Sequence, residues 1–136
     1  MIQLRRLLQG QSDPSAGERR TMRLKSAIWV AAYVRRCNGA GAFAAVRRHG
    51  SDEAGAIFIK LNRLDGTAEL FGPAPQAVFE EAHPAERAFT RCLGIAPAPE
   101  QLVENRLTRE IRFDPDAWIV EVEDRAGRHF LDNVVD

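Results

Sequence analysis

The sequence has few of the residues that build metal sites or disulfide frameworks. Its 136 residues include two cysteines and three histidines, and Cys37 and Cys92 lie too far apart for a CxxC motif. Neither residue type shows metal-ligand spacing, so no metal site is predicted. A phosphate-binding glycine loop and a GxSxG elbow are also missing. We therefore predict no cofactor, and we interpret the cysteines as reduced, buried thiols.

Long apolar runs are missing as well. No run approaches the roughly 20 residues that a membrane helix needs, and the N-terminus lacks the apolar region of a signal peptide. These absences predict no membrane partner and a cytoplasmic location. The hydrophobic fraction of 45% and the charged fraction of 28% are ordinary for a globular protein.

Neither sign of charge dominates, but the charges are unevenly distributed along the chain. The formal net charge is zero, with 19 Lys/Arg and 19 Asp/Glu. Residues 1–63 carry 12 Lys/Arg and 4 Asp/Glu, whereas residues 64–136 carry 7 and 15. Separate basic and acidic surfaces would bind different partners. The interpretation we favour is that the two halves, or two copies of the chain, fold against each other.

Residues 1–21 are interpreted as an N-terminal extension, either flexible or an artefact of the start site. The stretch Gly10–Gly17 has the composition of a linker. Met22 directly precedes the first strongly patterned segment and is a second candidate start. Residues 22–136 are then predicted to form one domain, which is the expected count for a chain of this length.

The stretch from Ala54 to Gly72 predicts a β-hairpin at the centre of that domain. Asp65-Gly66 separates two apolar runs, and this pair favours a two-residue type I′ turn. In that register Leu61 lies opposite Leu70, and the hairpin has one apolar face and one mostly polar face. One is predicted to carry Ile57, Ile59, Leu61 and Leu70, and the other Lys60, Asn62, Glu69 and Phe71.

Helical patterns occur on both sides of the hairpin. Residues 25–37 repeat apolar side chains at helical spacing, and the opposite side of this helix, Ile28, Ala31 and Ala32, is apolar too. A second helix is predicted to open at Pro97–Glu100. Its expected buried stripe is Leu102, Val103, Leu107 and Ile111.

Strands account for the remaining patterned segments. They are predicted at 43–48, at 118–123 and at 129–131, the last being the return strand of a bulged hairpin turning at Asp124–Gly127. Residues 86–93 suit a strand or a short helix, and we favour the strand. The order α-β-β-β-(β)-α-β-β predicts an α+β domain with two main helices on a mostly antiparallel sheet. The expected core is Val30, Val34, Ile57, Ile59, Leu61, Leu70, Leu107, Ile111, Val120 and Val122.

Three segments resemble a known family. MRLKSAIWVAAYVRRC, AGAIFIKLNRLDG and, above all, RFDPDAWIVEVEDRAGRHFL (Arg112–Leu131) are similar to short alphaproteobacterial proteins of the family called domain of unknown function fourteen-ninety-one, or DUF1491. The resemblance runs from Met22 to about Asp132 and implies that residues 1–21 lie outside the domain. It implies no activity, cofactor or catalytic residue.

One candidate site is an acidic cluster with a histidine: Asp116, Glu121, Glu123 and His129. Glu121 and Glu123 are two residues apart on a strand and share a face. With His129 on the return strand, that face could hold a divalent cation or a general acid/base pair. The interpretation we favour is a solvated face with arginine partners across the strands. A neighbouring carboxylate would raise the pKa of His129, and burial would lower it.

A second candidate is a basic surface: Arg35, Arg36, Arg47, Arg48, Lys60 and Arg63. If these side chains converge, with Trp29 or Tyr33 available for stacking, they would bind nucleic acid. The element order also resembles the core of the PD-(D/E)xK nucleases. The residue two before Lys60 is Phe58, however, where that motif requires an acid, so no catalytic residue is carried over.

The functional hypothesis we favour is a small interaction module without catalysis that self-associates as a homo-oligomer. It rests on the two-sided apolar helix and on the lack of a recognisable site. The alternative is a nucleic-acid-binding protein, with or without metal-dependent nuclease activity. Enzymatic activity is left open, with a non-catalytic role preferred, because the sequence nominates no nucleophile.

Overall fold

The computed structural model describes residues 24–75 and 86–135. By its contacts the chain divides into two units, and the unit that contains the sheet comprises Lys25–Ala74 and Ala88–Asp136. The N-terminal extension predicted for residues 1–21 lies outside the described residues. No helix in the described ranges is long and apolar enough to cross a membrane.

Two helices and a six-stranded sheet are described in this unit. In chain order they are α1 (Ser26–Gly39), β1 (Phe43–Arg48), β2 (Ile57–Asn62), β3 (Thr67–Pro73), β4 (Phe89–Arg91), β5 (Ala98–Pro99), α2 (Glu100–Phe113) and β6 (Trp118–Glu123). The predicted α+β class with two main helices is confirmed. The ambiguous segment contains a strand, β4. The second helix begins only at Glu100, because Ala98 and Pro99 pair with Ala68 and Thr67 of β3.

The last strand in sequence lies in the interior of the sheet. The strand order is β1-β6-β2-β3-β4, with β5 also beside β3. β6 pairs antiparallel with β1 and parallel with β2, while the other pairs are antiparallel. A parallel neighbour needs a long crossover, and the chain between β2 and β6 contains α2. The sheet is therefore mixed, and mostly antiparallel as predicted.

The sheet lies between two hydrophobic clusters, one containing residues of each helix. Val30, Tyr33 and Cys37 of α1 belong to a cluster with Ile57, Ile59, Leu61, Phe71, Val120 and Val122. Val103 and Leu107 of α2 belong to the other, with Phe58, Ala68, Leu70 and Ile119. Most of the expected core is buried, although Val34 and Ile111 are only partly so. Leu102, predicted in the α2 stripe, is 52% exposed.

The register predicted for the central hairpin is wrong by one residue. Leu61 lies opposite Glu69, not Leu70, and Ile59 lies opposite Phe71. The loop holds three residues, since Arg63 N–H donates to the Thr67 carbonyl, and Leu64 and Gly66 both have positive φ, 64° and 90°. Phe71 therefore lies on the α1 side and Leu70 on the α2 side. The apolar pattern could not reveal the slip because both faces are buried.

The hairpin predicted after β6 is also wrong. The turn itself forms, with Gly127 at φ 74° and its N–H donating to the Asp124 carbonyl. Residues 129–131 are not a strand, because β6 already has β1 on one side and β2 on the other. The chain instead leaves the sheet, and the Tyr33 hydroxyl donates to the His129 carbonyl at 2.6 Å.

Both edges of the sheet are partly covered. At β1, the Asn38 side chain accepts from the Ala44 N–H at 2.8 Å and donates to the Ala44 carbonyl at 3.3 Å. At β4, the Phe89 N–H donates to the Asn133 carbonyl and the Phe89 carbonyl accepts from the Val135 N–H. Such covering limits unwanted pairing of exposed strand edges.

Asn38 can be tested as the cap of the β1 edge. We expect Asn38→Ala to lower the free energy of unfolding by about 1–2 kcal/mol, because both backbone groups of Ala44 lose their partner. Asn38→Asp keeps the acceptor for the Ala44 N–H and should cost less. Urea denaturation of the three proteins measures this order. Equal stability of wild type and Asn38→Ala would contradict the capping role.

Candidate functional site

The most concentrated group of charges lies between the sheet and α2. Lys60 is a charged residue in the otherwise mostly apolar strand β2, yet it is only 2% exposed. Its Nζ lies 2.6 Å from Glu100 Oε2 and 3.5 Å from Glu121 Oε2, and it also contacts Glu104 Oε2. A buried ammonium is strongly unfavourable unless it is paired and hydrogen-bonded. These three carboxylates supply that pairing.

Arg47 and Asn62 complete this group. The Arg47 guanidinium lies 2.7 Å from Glu104 and 3.1 Å from Glu121. The Asn62 amide donates to Glu100 at 3.3 Å and to Glu121 at 3.1 Å. The six side chains, Lys60, Arg47, Asn62, Glu100, Glu104 and Glu121, are called the Lys60 cluster below. With two cations and three carboxylates, the cluster carries one net negative charge.

Regular secondary structure places each member of the Lys60 cluster. Glu100 and Glu104 are four residues apart on α2 and so share one helix face. Lys60 and Glu121 are direct partners in the parallel register of β2 and β6. Arg47 lies where the β1–β6 register shifts between Val46 and Arg48, an irregularity that re-aims side chains. The cluster thus connects α2 with three strands.

The charges in the Lys60 cluster stabilise one another. Burial is the largest single influence and lowers the pKa of Lys60, but hydrogen bonds to Glu100 and Glu104 and the charges of Glu121 and Glu104 together outweigh it, and the net shift is upward. The hydrogen bond from Arg47 is the largest influence on Glu104, and with Lys60 it lowers the pKa of Glu104 to about 2 despite burial. Lys60 is therefore an ammonium at neutral pH, which is the wrong form for a nucleophile or a general base.

The structure does not bring the predicted acidic and histidine residues together. Glu121 belongs to the Lys60 cluster, while Glu123 lines a shallow depression with Phe43, Leu64 and Arg125. Asp116 is exposed in the turn before β6. His129 lies on the α1 side of the sheet, with its ring 5.2 Å from that of Phe71. Within the described ranges, no group of three or more His, Cys, Asp or Glu residues is placed to hold a metal ion.

His129 has a different charged neighbourhood from the one expected. Glu69 is its nearby carboxylate, and the cation of Arg91 is close as well. Burial is the largest influence and lowers the pKa of His129, Arg91 lowers it further, and Glu69 opposes them. Its Nδ1 accepts a hydrogen bond from the Leu131 N–H at 2.9 Å. Desolvation outweighs the carboxylate at this position.

The six predicted basic residues do not form one surface. Lys60 and Arg47 are in the Lys60 cluster, on the α2 side. Arg63 pairs with Glu69, at 3.1 Å. Arg36 pairs with Asp132 at 2.9 Å, Arg48 donates to the Pro115 carbonyl, and Arg35 is exposed on α1. Trp29, proposed for stacking, is partly buried against Tyr33 and Phe89 at centroid distances of 5.0 and 5.3 Å.

Glu100 and Glu104 were not among the site residues predicted from the sequence. The available signal was their spacing of four residues on the same helix as the buried Val103 and Leu107. A second signal was Lys60 itself, the only charged residue in the apolar strand IFIKLN. A buried lysine predicts carboxylate partners, but the sequence does not say which element supplies them.

The fold and the cluster define a small α+β domain in which a mixed sheet buries one lysine beneath a helix. The chain belongs to the DUF1491 family, described as a protein of unknown function, whose pattern matches residues 24–132. No functionally curated protein matches the chain.

Solved members of the family have the same fold. A crystal structure of a DUF1491 protein from Caulobacter crescentus is 39% identical, with a TM-score of 0.68, over 83% of this chain and 98% of that one. A solution structure of a protein from A. tumefaciens is 45% identical, with a TM-score of 0.64, over 75% and 86%.

Lys60→Met tests whether the cluster holds the fold together. We expect a loss of about 3 kcal/mol in the free energy of unfolding, because three carboxylates lose their buried cation. Lys25→Met is the matched control, since Lys25 pairs with Glu53 at 3.4 Å on the exposed surface and should cost less than about 0.5 kcal/mol. Similar losses in the two variants, measured by chemical denaturation, would refute a special role for Lys60.

The Lys60 cluster also predicts how the stability of the fold changes as the pH is lowered. The pKa of Glu104 is about 2 in the folded chain, against 4.5 for the free side chain. The stabilisation is therefore complete above the unfolded pKa and is lost as pH falls through the folded one. NMR titration of Glu104 should show a midpoint near the lower value. In Arg47→Met the midpoint should move up, and an unchanged midpoint would contradict the pairing.

Proposed function

We propose that this chain is a non-catalytic interaction module that associates with a second copy of itself through the outer face of α1. The observation that carries the proposal is the exposure of an apolar side chain on this face. Ile28 is 52% exposed, and Ala31 and Ala32 beside it are exposed too. The opposite face of α1 is already used, since Val30, Tyr33 and Cys37 are buried against the sheet.

The spacing along α1 suits an antiparallel pair of helices. If Ala31 of one copy lies opposite Ala32 of the other, Ile28 lies opposite Arg35, and both pairings occur twice about the two-fold axis. Small residues at the centre allow two helices to approach closely. The aliphatic part of an arginine side chain can cover an apolar neighbour. The predicted interface is therefore self-complementary in shape.

The charges at the two ends of α1 support the same pairing. The N-terminal end of the helix is joined to the 52–53 turn, because Ser26 N–H donates to the Glu53 carbonyl and Ala27 N–H to that of Asp52. Both acids are exposed. Arg35, near the other end, is exposed as well. An antiparallel pair brings each Arg35 towards the acidic turn of the other copy, which favours association.

Nucleic-acid binding has less support. It requires basic side chains on one surface, and among the six candidates four are paired with carboxylates: Arg36, Arg47, Lys60 and Arg63. We also infer a cytoplasmic location, which is consistent with the two free cysteines, Cys37 and Cys92. Burial raises the pKa of both thiols, which disfavours the nucleophilic thiolate.

Sedimentation of variants tests the proposed dimer. We expect the wild-type chain to sediment as a monomer–dimer equilibrium between micromolar and sub-millimolar concentration. Ile28→Glu should shift it to monomer, because two carboxylates would be buried against apolar surface. Ile95→Glu is the matched control, since Ile95 is 80% exposed in the loop between β4 and β5, and it should sediment like wild type.

Charge exchange tests the orientation of the pair. Arg35→Glu should weaken the dimer about tenfold, because it places a glutamate near the acidic 52–53 turn of the other copy. Glu53→Lys should weaken the dimer comparably, because it places a lysine near Arg35 of the other copy. The double variant should recover most of the wild-type affinity. A wild-type chain that stays monomeric throughout, or a double variant weaker than either single one, would contradict this interface.

A further inference from the structure

The chain from His129 to Val135 fastens α1 to the β4 edge through a small number of identifiable contacts. The Tyr33 hydroxyl donates to the His129 carbonyl at 2.6 Å, and Arg36 pairs with Asp132 at 2.9 Å. At its far end, Val134 forms a parallel bridge with Phe89. We call residues 129–135 the C-terminal strap. While closed, it covers the backbone of Phe89 at the outer edge of the sheet.

The strap contains a hydrogen bond that requires a neutral histidine. The Leu131 N–H donates to His129 Nδ1 at 2.9 Å, so the ring proton must be on Nε2. An imidazolium carries a proton on both nitrogens and cannot accept this bond. The Leu131 side chain is buried, so breaking the bond leaves its N–H without an acceptor in a poorly solvated place.

The groups around the His129 ring also disfavour its protonation. From β3 come the Phe71 ring, 5.2 Å away, and Glu69; from β4 comes Arg91. Glu69 is shared between Arg63 at 3.1 Å and Arg91 at 3.6 Å, so its charge is already offset by two arginines. From α1, Tyr33 faces the strap through its hydroxyl. Directly before the strap in sequence, Arg128 pairs with Asp124 at 2.7 Å.

The backbone next to His129 is in an unfavourable conformation. Phe130 has φ 58°, a left-handed conformation that is rare for a large side chain and persists only where surrounding contacts enforce it. Two hydrogen bonds flank it: Arg36 donates to the Phe130 carbonyl at 2.5 Å, and the Leu131 N–H donates to His129 Nδ1. When the bond to His129 is lost, one of these two contacts is gone and the cost of the Phe130 conformation favours opening.

We propose that the C-terminal strap is a pH-sensitive latch, in which protonation of His129 releases residues 129–135 and uncovers the β4 edge at Phe89. The latch is closed at neutral pH, when Nδ1 accepts from Leu131. It opens as the ring gains its second proton, because the acceptor is lost and a cation is placed beside Arg91. The inference is independent of the self-association proposed for α1, which lies on another face of that helix.

Hydrogen exchange of backbone amides, followed by NMR, tests the latch on the full chain. Between pH 7.5 and pH 5.5, after correction for intrinsic exchange, protection of the Leu131 and Val135 amides should fall by up to about tenfold, because the imidazole of an open strap has an ordinary pKa of about 6.5 and each pKa unit is a factor of ten. The core amide of Ile59, which is fully buried, should keep its protection, because the opening is local.

Two variants make the result specific. In His129→Asn the amide oxygen takes the place of Nδ1 as an acceptor and cannot titrate, so protection at Leu131 should no longer depend on pH. His49→Asn removes an exposed histidine that pairs with Asp52 at 2.7 Å, and it should behave like wild type. Unchanged protection in wild type, the same loss in His129→Asn, or parallel loss at Ile59 would each overturn the proposal.

Discussion

The pairing of the Lys60 ammonium with carboxylates from α2 and β6 is the interaction on which the rest of the structure depends. β2 lies inside the sheet and is covered on both sides, and five of its six residues are buried. An unpaired ammonium there would be untenable. Glu100 and Glu104 reach it from α2, which lies across β2, and Glu121 reaches it because β6 lies beside β2 in a register that puts Glu121 opposite Lys60. One buried charge therefore constrains the position of a helix and of a strand.

The pairing of charged side chains within the fold bears on which function the chain can have. Arg47, Lys60 and Glu121, each a candidate for binding or catalysis by sequence, pair instead with charged side chains of this chain: Arg47 with Glu104 and Glu121, and Lys60 with Glu121. The sheet edges are likewise occupied, by Asn38 at β1 and by the C-terminal strap at β4. On the outer side of α1, by contrast, the apolar side chain of Ile28 is exposed between acidic and basic ends. An interaction module agrees with this distribution better than a nucleic-acid-binding surface does.

The sequence predicted the elements better than their partners. The alternation in Trp118–Glu123 and the helical spacing around Val30 are local, and both elements form. The predicted hairpin register was wrong because Leu64 adopts positive φ, a conformation that no local sequence pattern predicts for leucine. The return strand at 129–131 failed because β2 occupies the free side of β6, a long-range pairing. The Lys60 cluster was missed for the same reason, since its members lie on four separate elements.

A double-mutant cycle between Lys60 and Glu104 tests the central claim most directly. Stability would be measured for wild type, Lys60→Met, Glu104→Gln and the double variant, with the partly buried pair Arg106–Glu110 on α2 as the comparison. The account predicts a coupling of about 2 kcal/mol for Lys60–Glu104 and about 0.5 kcal/mol or less for Arg106–Glu110. A coupling near zero for Lys60–Glu104 would mean that α2 is held by its apolar contacts alone, and it would contradict the account.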